Sequence, residues 1–393
     1  MNTNNINVNG FTENLWKDKL PQTGISIFAL MSGLARREKA VNLSQGFPDF
    51  DIDPELIRLV NVYMKKGYNQ YAPMPGVPEL RQAIARKIKN SYNRIIDRET
   101  EITVTAGATQ ALFVLISAWV HPGDEVIVFE PAYDSYVPVI RLNSGKPVYI
   151  RLQKPAFSIN WDEVENKITS RTRLIIVNTP NNPGGYVFSD KDWKRLEKIA
   201  AKYSLAVLSD EVYEHIVFDG LPHRSILQYP ELYKQGAAVF SFGKTFHATG
   251  WKTGYIVAPP RITALARKIH QFNVFAVNTP VQYALAEYVQ NENHYNKLPD
   301  FYQEKRDYFI NALQGSRWQP VPTHGTYFIA LDYSRISDEP DFDFARRLTR
   351  DHKVASIPMS FFYHNRFDQQ LLRFCFAKRK ETLDKALEIL SGI

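Results

Sequence analysis

The sequence predicts an α/β protein, a mostly parallel mixed sheet flanked by helices, joined to a second, smaller α+β domain. Three observations carry that expectation. Short β-branched or aromatic runs alternate with amphipathic stretches between about residues 100 and 260, the rhythm stops near Pro280, and a Tyr-rich, charged helical pattern with two strand-like runs follows.

The elements follow in order. Residues 1–45 read as an N-terminal segment belonging to the small domain, 46–285 as the large domain and 286–393 as the small C-terminal domain. Pro78-Glu79-Leu80 opens a helix in which Leu80, Ile84 and Ile88 recur every four residues, with proline in the first turn where no N–H is needed. Candidate strands are 101–105, 125–129, 147–152, 173–177, 206–209, 237–241 and 254–257. Between them, 190–203 is helical, with Trp193, Leu196, Ile199 and Ala200 on one face. Beyond Pro280 a long helical region reaches Leu313, and 326–331 and 371–377 read as strands.

Composition narrows the function. Hydrophobic residues make up 44% and charged residues 23% of the 393, the proportions of a globular chain rather than a disordered or fibrous one. The most apolar stretch, 111–120, stops at His-Pro-Gly-Asp, well short of the roughly 20 residues a bilayer crossing needs, so no membrane partner is expected. The polar start through Gly10 lacks the basic opening and apolar run of a secretory signal, which points to the cytoplasm. A single cysteine, Cys375, can make neither an internal disulfide nor a thiolate-rich metal site. The net charge of +7 is dispersed among acids rather than gathered in a tract, which suits small anionic ligands better than nucleic acid.

Four segments place polar residues at the ends of apolar strands, where α/β sheets build ligand sites. In Thr103-Val-Thr-Ala-Gly-Ala-Thr-Gln-Ala-Leu112 a strand runs through Gly107 into a helix. The backbone amides of Ala108 and Thr109 would then face a phosphate. The second, Val177-Asn-Thr-Pro-Asn-Asn-Pro-Gly-Gly185, is dense in turn formers and holds Asn182 as a fixed amide donor. The third, Leu205-Ala-Val-Leu-Ser-Asp-Glu-Val-Tyr213, delivers Asp210 and Tyr213 from one strand end; a helix cap is the plainer use of Asp210.

In the fourth, Phe240-Ser-Phe-Gly-Lys-Thr-Phe-His-Ala-Thr-Gly-Trp-Lys-Thr-Gly-Tyr255, Lys244 sits in an aromatic, Gly-flanked loop. Partial burial would lower its amine pKa toward the neutral nucleophile that imine-forming chemistry needs. Ser241 and Lys252 bracket it and could serve the same anion as the Ala108 and Thr109 amides. No pair of His or Cys has metal-ligand spacing, and neither Gly-x-Gly-x-x-Gly nor a P-loop follows any strand.

Together these segments resemble fold-type I pyridoxal-phosphate-dependent aminotransferases of class I/II, in order and separation, over nearly the whole chain. Asn42-Leu-Ser-Gln-Gly-Phe-Pro-Asp-Phe50, Asn69-Gln-Tyr-Ala-Pro73 and Asp210-Glu-Val-Tyr-Glu-His215 resemble the methionine and kynurenine (glutamine transaminase K) branch. The resemblance implies that Lys244 carries pyridoxal 5′-phosphate as a Schiff base and then moves the substrate α-proton. Asp210 would pair with the ring nitrogen and Tyr213 and Asn182 with the 3′-oxygen. Ser241, Lys252 and the Ala108 and Thr109 amides would hold the phosphate, and Tyr133 would stack on the ring. Arg373 would clamp the substrate carboxylate beside Gly46, where a missing side chain lets the backbone approach.

By the same resemblance the protein is a homodimer with shared sites, Tyr71 and Phe275 reaching the neighbour's cofactor phosphate and substrate pocket. Its substrates are an amino acid and a 2-oxo acid. Two departures matter. The family usually has Arg where this chain has Lys252, which keeps charge and loses the bidentate fork. The loop 273–279 lacks the arginine that dicarboxylate-specific relatives use, so the expected donor is neutral and bulky: methionine, an aromatic amino acid or kynurenine. A carbon–sulfur β-lyase on the same fold is the alternative enzyme, and a binding module that kept the fold is the non-enzyme one.

Overall fold

The computed structural model describes residues 18–21 and 23–393; the polar stretch through Gly10, and with it the start of the 1–45 segment, lies outside the described residues. In chain order the first eight strands are β1 (Val41–Asn42), β2 (Ile102–Thr105), β3 (Glu125–Glu130), β4 (Lys146–Arg151), β5 (Thr172–Asn178), β6 (Ala206–Asp210), β7 (Gly236–Ser241) and β8 (Gly254–Val257). The remaining five are β9 (Gln319–Pro320), β10 (Phe328–Asp332), β11 (Val354–Ala355), β12 (Ile357–Pro358) and β13 (Leu371–Cys375). All seven strands expected between residues 101 and 257 form, and they make one sheet.

Its order is β2-β8-β7-β6-β5-β3-β4. Only β8 runs antiparallel to its neighbours, so the sheet is mostly parallel and mixed, as expected. β3 is buried throughout and β5 from Leu174 onward, which is why both read as unbroken Val, Ile and Leu runs rather than alternating ones. Helix Gly107–Trp119 packs on one face against helix Pro260–Asn273. Helix Asp190–Tyr203 begins with a reciprocal Ser189–Asp192 capping box and buries Trp193, Leu196, Ile199 and Ala200, the four residues its periodicity singles out. Asn178, Asp210 and Ser241 end β5, β6 and β7, adjacent strands, so three polar side chains share one sheet edge.

A second, antiparallel sheet has the order β12-β13-β10-β9. Beside it β1 pairs in parallel with β11, and Leu43 bridges the two, donating to the Ala355 carbonyl at 3.0 Å and accepting from the Cys375 amide at 2.8 Å. The helical region expected to reach Leu313 is made of three helices, Thr279–Tyr288, Asn293–Asn296 and Leu298–Ala312. Asn291 makes the first break: its Oδ1 accepts from the Asn293 amide at 3.2 Å, a local turn that competes with the helix ladder. Pro299, which lacks an N–H, fits only the first turn of the third helix. Likewise β10 starts at Phe328 rather than Thr326, because Thr326 has φ +69 and cannot lie in a strand. Among the described residues no helix is long and apolar enough to cross a membrane.

The segment after β6 is braced from behind. Lys87 Nζ lies 2.8 Å from Glu214 Oε1 with both side chains 2% exposed, and the Tyr92 hydroxyl also donates to Glu214. Lys87→Ala would strand the carboxylate, so a loss of about 3–5 kcal/mol in unfolding free energy is expected. Denaturant titration measures it; a loss below about 1 kcal/mol, the scale of an exposed pair, would show that water reaches Glu214.

Candidate active site

A cavity of about 280 Å³ opens at the C-terminal ends of β5, β6 and β7. One end of it is built for an anion. Helix Gly107–Trp119 starts there with no side chain capping its first turn, which leaves amides at Ala108 and Thr109 without an acceptor among the described residues. Two glycines let the backbones close around that point. Gly107 has φ +77, and at Gly254 a Cβ would lie 2.5 Å from the Phe240 carbonyl oxygen and 3.0 Å from the Ala108 nitrogen. Ser241 and Lys252 line the same end, and Lys252 makes no hydrogen bond or ion pair among the described residues.

Lys244 lies at the centre, on the short helix Phe242–Thr245 that follows β7. Its Nζ donates to the Tyr327 hydroxyl at 2.9 Å and to the Gly46 carbonyl at 3.2 Å. Burial brings the amine pKa down to about 8, so about a tenth of it is neutral and nucleophilic at pH 7, far more than for an exposed lysine.

Facing it is Asp210, 3% exposed. The Tyr136 hydroxyl donates to its Oδ2 at 2.6 Å, and burial pushes the carboxyl up to about 6 despite that bond. A cationic partner at this point would restore the carboxylate. Tyr213 stands beside it, buried, with a phenol that burial keeps protonated. Tyr133 crosses Tyr136 edge-on at 5.7 Å and brings its hydroxyl to 3.4 Å from Thr109 Oγ1.

Arg373, in the middle of β13, is 1% exposed. Nη1 donates to Asn182 Oδ1 at 3.0 Å and Nη2 to the Ser44 carbonyl at 2.9 Å, while the buried Nε has no partner among the described residues. Asn182 is fixed in turn by its amide donating to Asn178 Oδ1 at 2.7 Å. The guanidinium lies 3.9 Å from the Phe328 ring centroid and 5.2 Å from those of Phe28 and Phe362. It forms no ion pair with any described residue, and burial lowers its pKa to about 10. A buried cation left without an acid is costly unless a ligand supplies the anion. Gly46 lines the cavity next to it, where a Cβ would meet Phe328 Cζ at 2.8 Å.

Eleven of the residues expected from sequence therefore line one cavity: Gly46, Ala108, Thr109, Tyr133, Asn182, Asp210, Tyr213, Ser241, Lys244, Lys252 and Arg373. Tyr71 and Phe275 do not. They meet edge-on at 5.7 Å on the outside of the chain, 86% and 42% exposed. Sequence reasoning missed Tyr136 and Tyr327, which hold Asp210 and Lys244, and the cavity walls Phe28, Phe47 and Phe328. Arg36 and Arg37, the arginines of the N-terminal segment, are exposed and do not line the cavity.

The sheet and the lysine at its edge define a fold-type I aminotransferase, the class of the solved structures the chain superposes on. The family model described as aminotransferase class I and II matches residues 38–390, and the chain belongs to that family. It is an aminotransferase. The Escherichia coli methionine aminotransferase is 49% identical over 95% of this chain and 97% of its own. A Dictyostelium discoideum kynurenine–oxoglutarate transaminase is 34% identical over 92% and 93%. The solved structure of an E. coli protein reported to have a methionine aminotransferase function superposes with a TM-score of 0.95, at 48% identity over 96% and 99%.

Proposed function

We propose that this chain uses pyridoxal 5′-phosphate to move the amino group of a neutral, bulky amino acid to a 2-oxo acid by a ping-pong mechanism. Methionine, the aromatic amino acids and kynurenine are the donors that fit. The observation that carries the reading is the grouping of Lys244, Asp210 and an unpaired, buried Arg373 in one cavity. The residues suit the cofactor, since uncapped amides, Lys252 and a buried carboxyl line one cavity with the Lys244 amine. When bound, that cofactor supplies an aldehyde for covalent attachment and a ring that accepts electrons from the substrate α-carbon.

Each side chain then has a defined task. Ala108 and Thr109 amides, Ser241 and Lys252 would hold the phosphate. Asp210, held by Tyr136, would keep the ring nitrogen protonated through a charge-assisted hydrogen bond. Tyr213 and Asn182 would bond the 3′-oxygen, and Tyr133 would stack on the ring. Arg373 binds the substrate carboxylate beside Gly46, and Lys244 takes the α-proton.

The donor's side chain meets Phe28, Phe47 and Phe328. The cavity's cationic side chains are Lys244, Lys252 and Arg373, each already assigned, so a second carboxylate finds no partner there. Leaving it unpaired costs several kcal/mol, whereas an apolar side chain gains about 25 cal/mol per Å² buried. With one common oxo acid, kcat/KM for methionine and phenylalanine is therefore expected to exceed that for aspartate and glutamate by about 100-fold or more. A preference for either acid would remove this donor assignment and leave the aminotransferase standing.

A homodimer with shared sites belongs to the same proposal. Exposed Tyr71 and Phe275, turned away from their own cavity, support it, as does the exposed apolar surface of Phe272 and Val274 nearby in sequence. A cytoplasmic location is supported by Cys375, a buried free thiol.

A further inference from the structure

Tyr327 is left without a task by this reading, although it touches the reacting lysine. Its ring is fully buried, edge-on to Tyr213 at 5.2 Å and tilted against Tyr302 at 5.7 Å. The hydroxyl donates to the Gly46 carbonyl at 2.7 Å and accepts from Lys244 Nζ at 2.9 Å; Nζ also reaches the Gly46 oxygen at 3.2 Å, closing a triangle. A phenol has one proton, and a carbonyl can only accept. The proton therefore goes to Gly46, and the phenol turns a lone pair toward Lys244.

We propose that Tyr327 is the positioning residue of Lys244: its hydroxyl holds the amine whenever the cofactor does not, and so fixes the direction from which that amine exchanges a proton with the substrate α-carbon. This rests on the role given to Lys244 above. The surroundings leave few alternatives, because the amine is otherwise flanked by the Tyr213 and Tyr327 rings, 5.6 and 5.4 Å from their centroids. Without a fixed acceptor the four-carbon stem of a lysine is free to swing, and misplacement by about 1 Å can cost about 100-fold in rate. Asp210 also favours the charged amine while Arg373 and Lys252 oppose it, and none of these changes when the phenol oxygen is removed.

Tyr327→Phe is the test, since it deletes one oxygen and keeps the ring. In cofactor-free protein, the pH dependence of Lys244 acetylation, read by mass spectrometry of its peptide, gives the amine's midpoint. The ammonium loses one of two acceptors, so the midpoint is expected to fall by about one pH unit. In the loaded enzyme, kcat for methionine should fall about tenfold with KM unchanged, and the isotope effect with α-deuterated methionine should rise. Tyr302→Phe is the control. It removes a buried hydroxyl that has no hydrogen-bond partner among the described residues from the same aromatic cluster, and should move neither readout. An unchanged midpoint and isotope effect in Tyr327→Phe, or an equal change in Tyr302→Phe, overturns the proposal. A Tyr327→Phe protein that no longer folds makes the hydroxyl structural and overturns it too. Should Lys244 of the native protein fail to take up cofactor, the underlying reading is what fails, and native protein alone reveals it.

Discussion

Replacing Lys244 by Ala is expected to lower kcat by at least about 10⁴-fold, because one substitution removes both the nucleophile that attaches the cofactor and the base that moves the α-proton. Cofactor binding should survive. The Ala108 and Thr109 amides, Ser241 and Lys252 do not depend on Lys244, nor does Asp210, which is held by Tyr136. Borohydride reduction followed by denaturation should therefore leave cofactor on native chain and none on the variant. A variant with near-native turnover would disprove the assignment. The same protein tests the shared site when mixed with Tyr71→Phe subunits. A hybrid carries one site with native Lys244 from one chain and native Tyr71 from the other. Its activity should exceed the average of the two parents, and a plain average would place Tyr71 outside the neighbour's site.

What the sequence made legible follows from how the sheet is built. A polar residue closing an apolar strand stands out against its neighbours, and in a parallel sheet all such ends lie along one edge, so Asp210, Ser241 and the loop after β5 that carries Asn182 fall together. The lysine was marked by its Gly-flanked aromatic loop. Tyr136 and Tyr327 had no such mark. Tyr136 lies 74 residues from Asp210 and Tyr327 lies 83 from Lys244, and each reads as one more aromatic in an apolar run. Phe28 was equally silent, since its meeting with Arg373 depends on the N-terminal segment crossing the small sheet through β1 and Leu43. The break after Tyr288 falls in the polar run Gln290-Asn-Glu-Asn-His294, where the apolar period lapses and one asparagine side chain bonds its own backbone neighbourhood.

That crossing also links the two cations. Ser44 supplies the carbonyl that holds Arg373 and Gly46 the one that holds Lys244, so a single short stretch of chain sets the distance between the carboxylate clamp and the base. A substrate amino acid has its carboxylate and its α-hydrogen on the same carbon, so this distance is the dimension that must be held fixed.

Arg373→Lys is expected to cost about 2–5 kcal/mol of transition-state binding, a fall of roughly 30- to 5000-fold in kcat/KM for methionine. The charge is nominally conserved, yet three things are lost. A lysine offers one nitrogen where the planar fork offers two parallel donors to the carboxylate. It cannot keep the bonds to Asn182 and the Ser44 carbonyl that lock the fork in register, and it stacks less well on Phe328. Finally, an ammonium buried as deeply as this guanidinium would shed its proton far more readily, because its ordinary pKa is lower. The penalty should be confined to substrates that carry the carboxylate. Single-turnover loss of cofactor absorbance with 3-(methylthio)propylamine, which is methionine without its carboxyl group, should run at similar rates in native and Arg373→Lys protein. If the variant slows the amine as much as methionine, Arg373 shapes the cavity rather than clamping the substrate, and the donor must be held by another group.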